Sequence, residues 1–116
     1  TPDTTDAARF DRRLLRARIA DNEETLAEIV ALALDLFPGY FATLAAAIES
    51  GEKTAIRRAA HTLKGAARNM GFGILSDLAA RIDTAAESRT EALPKLMSAI
   101  ESEWIILREE LWRQPD

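Results

Sequence analysis

The single histidine of the chain, His61, stands in the run Ala60-His61-Thr62-Leu63-Lys64-Gly65, and its surroundings narrow what an imidazole could do there. A metal site fails on ligand count, since there is no second histidine, no cysteine and no converging set of acids. No serine falls at hydrogen-bond spacing on the same helical face, so a hydrolase triad is unsupported. Gly51-Glu52-Lys53-Thr54 echoes a phosphate-binding loop but lacks its upstream glycine and preceding strand, and Gly71 and Gly73 lack the strand–turn–helix setting of a nucleotide fingerprint. What survives is nucleophilic chemistry. Near pH 7 a neutral imidazole offers an unprotonated ring nitrogen that can attack an electrophilic phosphorus. The product carries about two negative charges, which a flanking ammonium would stabilise.

A lone histidine is more often structural, so its placement decides. At about 100° per residue, Leu63 points roughly 200° away from His61 and Ile56 roughly 140° away on the other side. Both apolar anchors therefore face away from the ring, and His61 projects to solvent beside Arg57, Arg58, Lys64, Gly65 and Arg68. Lys64, three residues on, is the charge-stabilising candidate on the same face. Gly65 costs about 1 kcal/mol of helix propensity relative to Ala, and its bare backbone gives a partner access to the ring. A nucleophilic ring nitrogen also needs its twin held as N–H. His61 precedes Gly71 by 10 residues and Asp83 follows it by 12, roughly 15 Å and 18 Å from the turn in paired helices, so Asp83 is the candidate that orients the ring. A solvated surface acid is the plain alternative.

Charge distribution agrees with this placement. The net charge is −4, yet Lys53 to Ser76 holds five cations (Lys53, Arg57, Arg58, Lys64 and Arg68) and no acid. Such a local field attracts an acidic partner, with Arg57, Arg58 and Arg68 as partner-binding candidates. The overall negative charge disfavours nucleic acid. The absence of cysteine removes disulfide scaffolds and thiolate chemistry.

The elements that must position His61 read as helices. With 116 residues the chain is expected to form one domain, 1–116, with 1–5 and 113–116 as frayed ends. Period-2 alternation is missing throughout. A short amphipathic helix is expected over about Asp6–Ala20 with Phe10, Leu14 and Ala17 inward, followed by a cap at Asp21 with Glu24 three residues later. The next stripe, Leu26, Val30, Ala33, Phe37, Phe41, Leu44 and Ile48, keeps phase across Pro38, so one long helix, kinked there, is expected. A third helix covers about Lys53–Asn69, with Ile56, Ala59, Ala60, Leu63, Ala66, Ala67 and Met70 inward. A fourth covers about Ile74–Glu87. The fifth, about Glu91–Trp112, carries Leu93, Met97, Ile100, Trp104, Leu107 and Leu111 as a seam. Short connections imply an all-α, antiparallel up-down-up-down four-helix bundle with a short extra N-terminal helix. No apolar run approaches the roughly 18 residues of a membrane span, so no membrane contact is expected. Leu32 and Leu36 fall off the buried stripe, and Leu107, Leu111 and Trp112 could add a contact surface near the C-terminal end.

The run from Ala60 to Gly71, Ala-His-Thr-Leu-Lys-Gly-Ala-Ala-Arg-Asn-Met-Gly, resembles the signature of the histidine-containing phosphotransfer (HPt) domain. The likeness continues through Leu75, Leu78 and Ile82 to Asp83, where the family commonly has Glu or Gln, and includes Phe37-Pro38, Leu44 and Ser50-Gly51 upstream. Composition makes a cytoplasmic location the expectation, and the resemblance implies a monomeric module that relays phosphoryl groups between receiver-domain aspartates through His61. It implies no ATP site and no cofactor of its own, the Mg2+ being held by the partner receiver. The implied partners are response-regulator receivers and a hybrid sensor histidine kinase, of which the chain, beginning at Thr1, is expected to be the C-terminal module, a free-standing protein being the alternative. The competing readings are a docking bundle without phosphorylation and a kinase dimerisation domain, which would need an ATP-binding domain that 116 residues do not hold.

Overall fold

A computed structural model describes residues 9–20 and 22–112, and these contain helices and no strand. The helices are α1 (Arg12–Arg18), α2 (Glu23–Ser50), α3 (Lys53–Met70), α4 (Gly73–Ser88) and α5 (Leu93–Trp112), with a single 3-10 turn, Thr90–Ala92, before α5. α3 packs on α2 and α4, and α5 packs on α2 and α4, so the four long helices close on one another around one core. The expected frayed ends and Asp21 lie outside the described residues.

α2 runs unbroken through Pro38. An interior proline forfeits one helical hydrogen bond, but core contacts hold the helix on both sides: Leu26, Val30 and Ala33 before it, Phe41, Leu44 and Ala47 after it. Ile48 is only half-buried, so Ala47 ends the stripe. Asn22 caps the helix by accepting from the Thr25 amide at 2.9 Å. Next to the proline, Phe37 stacks on Trp104 with centroids 5.5 Å apart and meets the edge of Phe72 at 5.3 Å. Each such pair contributes about 0.5–1.5 kcal/mol beyond burial.

Within α2 an 18-residue window reaches a mean hydropathy of 1.7, which corrects the expectation that no stretch is apolar enough to cross a membrane. The index is high because Ala and Leu occupy exposed as well as buried positions. The core stripe of this helix is taken up by protein.

The N-terminal helix is shorter than expected and turned by one residue. Leu15 is buried, whereas Leu14 and Ala17 are exposed. The cause is local. Asp11 caps α1 by accepting from the Leu14 amide, so Phe10 lies outside the helix and does not share its phase. Phe10 instead meets the edge of Phe72 at 5.5 Å. The same segment grips the α3–α4 turn. The Asp11 amide donates to the Gly71 carbonyl at 2.7 Å, and Arg18 donates to the carbonyl and side-chain oxygens of Asn69. Arg9 Nε donates to the buried Glu103 carboxylate of α5 at 2.8 Å, and this bond, first, holds the guanidinium pKa above its usual value. Glu103 stands beside the seam, next to Trp104, and is buried although charged, which the apolar spacing of α5 does not signal.

Candidate functional site

α3 sorts its residues into two faces. Ile56, Ala59, Ala60, Leu63 and Ala67 are buried, while Arg57, Arg58, His61, Gly65 and Arg68 are exposed. The small alanines let α4 approach closely. The charged residues have only the opposite face to occupy, so His61 stands in solvent as the helical spacing requires. It makes no hydrogen bond among the described residues.

Side-chain direction then decides which residues serve the ring. Helical side chains lean towards the N-terminus, so each covers the turn before its own Cα. The half-buried Lys64 therefore leans back over the His61 turn, and a side chain at residue 65 would do the same. A Cβ added at Gly65 would meet nothing within 4 Å. The domain itself leaves this space open.

Lys64 and Arg68 also line an open groove of about 320 Å³ that runs between α3 and α4 past Leu14, Ser76, Asp77 and Ala80. His61 is not part of its lining. The groove starts one turn beyond the imidazole, which needs exposure rather than enclosure if a partner brings the reacting group.

The basic face is partly compensated by α4. Arg57 donates from Nε to Asp83 Oδ1 at 2.9 Å and from Nη1 to Glu87 Oε1 at 2.8 Å, and Lys53 reaches Glu87 at 3.4 Å. The bond to Asp83 is the first cause holding the Arg57 pKa above its usual value, followed by the charges of Asp83 and Glu87. Asp83 thus stands at the level of α3 that its distance from the turn implied, but its hydrogen bond goes to Arg57 rather than to His61. A guanidinium with five donors on a long stem competes well for a carboxylate. Glu87 was legible as the position one turn beyond Asp83, matching Lys53 and Arg57 one turn apart on α3. Among the described residues Arg58, Lys64 and Arg68 take part in no ion pair.

The exposed histidine, with a lysine three and a glycine four residues after it, stands inside the run that resembles the Hpt signature, and the family model for the Hpt domain matches residues 13–113. The chain belongs to the Hpt domain family. This Hpt domain is also similar to a solved structure, histidine-containing phosphotransfer protein B (HptB) from Pseudomonas aeruginosa PAO1. The two share 27% sequence identity with a TM-score of 0.70, over 94% of this chain and 99% of the other. No curated protein matches the sequence. Membership carries a histidine phosphotransfer role in a phosphorelay, and proteins of this family are phosphoryl carriers.

Proposed function

We propose that His61 is the phosphoacceptor and that it passes the phosphoryl group between aspartates of receiver domains. The observation that supports this most directly is the open space over His61 at Gly65, faced by Lys64. A ring nitrogen attacks the phosphorus of a receiver's aspartyl phosphate. The new P–N bond forms as the P–O bond to the aspartyl carboxylate breaks, and the carboxylate leaves with the bonding pair. The reverse step delivers the group to the next receiver. Lys64 stabilises the charge on the transferring oxygens. Arg58 and Arg68, which like Lys64 take part in no ion pair among the described residues, meet the acidic rim of the receiver pocket, whose Mg2+ is the only metal the reaction uses. Arg57 reaches the same rim only by leaving its acids on α4.

The same reading makes the domain a cytoplasmic monomer without a cofactor or ATP site of its own, working with a hybrid sensor histidine kinase. It also makes 1–116 one domain, an antiparallel up-down-up-down bundle. The two-residue connections Gly51-Glu52 and Gly71-Phe72 and the closed cycle of helix contacts support that order.

The test is to mix the domain with radiolabelled, phosphorylated receivers. The expected result is label on the chain that is acid-labile, base-stable and lost in His61→Gln. No label from a broad panel of receivers would favour a docking bundle that carries no phosphoryl group.

A further inference from the structure

The Arg57 clasp lies one helical turn from His61, and its ion pairs are built to be exchanged. Arg57 precedes His61 by four residues, which brings their Cβ atoms to about 6 Å. Because helical side chains lean towards the N-terminus, the imidazole lies over the turn that carries Arg57. The Arg57 side chain is 49% exposed, that of Asp83 27% and that of Glu87 55%, so water screens both pairs and neither is strong. A phosphoryl group on His61 would bring about two negative charges and three acceptor oxygens next to this cation, more than either carboxylate offers. Glu87 would keep Lys53 as a partner.

Resting on the assignment of His61 as phosphoacceptor, we propose that Arg57 is a phosphoryl-binding residue that leaves Asp83 and Glu87 for the phosphoryl oxygens when His61 is modified, and that the released Asp83 carboxylate then accepts the remaining ring N–H. Charges stay matched on both sides of this exchange. A neutral ring that attacks phosphorus through one nitrogen keeps its N–H on the other and becomes cationic. Asp83 therefore gains a charged donor at the moment it loses Arg57. In the unmodified domain the imidazole has no hydrogen-bond partner among the described residues, and in the modified one both groups hold the product.

Phosphoramidate, a small-molecule donor, separates this proposal from the relay reading because no receiver is needed. The ring nitrogen bonds phosphorus, the bond from phosphorus to nitrogen in phosphoramidate breaks, and ammonia leaves. The titration of the phosphorylated ring is then followed by 31P NMR, and the hydrolysis of phosphohistidine by loss of the same signal. Removing the cation in Arg57→Gln should raise the titration midpoint by about half a pH unit and, since the linkage is acid-labile, speed hydrolysis about threefold near neutrality. Arg57→Lys should restore part of both. Asp83→Asn keeps an acceptor for the ring N–H but loosens the clasp, so the midpoint should stay or fall.

An Arg57→Gln midpoint equal to that of the unsubstituted domain overturns the proposal. So does a rise in Asp83→Asn matching that of Arg57→Gln, because Arg57 would then act only through Asp83. Failure of phosphoramidate to modify His61 at all would overturn the phosphoacceptor assignment and this proposal together.

Discussion

Gly71, the C-cap of α3, follows Gly65, which lies inside that helix, by six residues, and the two glycines sit in opposite surroundings. At Gly65 the helix is regular and an added Cβ would meet nothing within 4 Å. At Gly71 the backbone has φ +78°, and an added Cβ would lie 2.8 Å from the Asp11 carbonyl oxygen. The first glycine answers no need of the fold, and its helix propensity is a cost. The second is required twice over, by its left-handed backbone and by the N-terminal segment against it. A position that folding leaves empty against its own interest is where a binding partner must fit. A position that folding fills from every side is where the domain is held together.

The comparison can be broken or sharpened by substitution. His61→Gln, on the open side, should abolish phosphorylation completely while leaving the urea unfolding midpoint unchanged, since an exposed side chain carries little packing energy. Unfolding of that variant would refute the exposed placement. Gly71→Ala, on the crowded side, should cost about 2–3 kcal/mol in urea unfolding, with phosphorylation of the folded fraction unaffected. A loss below that of Gly51→Ala would be contrary evidence, because Gly51 shares the left-handed backbone but has open space around it. Lys64→Ala should slow transfer roughly tenfold, less than the loss of a buried donor because Lys64 is partly solvated. An unchanged rate in stopped-flow transfer would remove Lys64 from the mechanism. Gly65→Ala should give the smallest and most telling effect, a gain of up to about 1 kcal/mol in stability together with slower transfer. Both quantities moving in the same direction would contradict an access role for this glycine.

Much of this contrast was legible before any coordinates. α3 declares its two faces because nearly every exposed position is charged or polar and every buried one is Ala, Leu or Ile, and the exposure of His61 follows from that spacing alone. The α5 seam is equally plain, with all six expected residues buried. Errors arose where a single contact sets the answer. The phase of α1 depends on the Asp11 cap, which puts Leu15 rather than Leu14 inward. Leu107 and Leu111, considered for a contact surface, belong to the core, and only Trp112 of that trio is exposed. The distance of Asp83 from the turn was readable. Its partner was not, because a carboxylate among several cations chooses by reach and geometry that spacing does not encode.

The aromatic cluster gives the domain an optical signal independent of its chemistry. Its two tryptophans occupy contrasting environments: Trp104 is 6% exposed and stacked on Phe37, whereas Trp112 is 74% exposed. Trp104 should therefore emit at shorter wavelength than Trp112, and iodide should quench the outer indole first. What remains after quenching reports the packing of α5 against α2, so a variant at the His61 face can be judged folded by its colour before it is judged active.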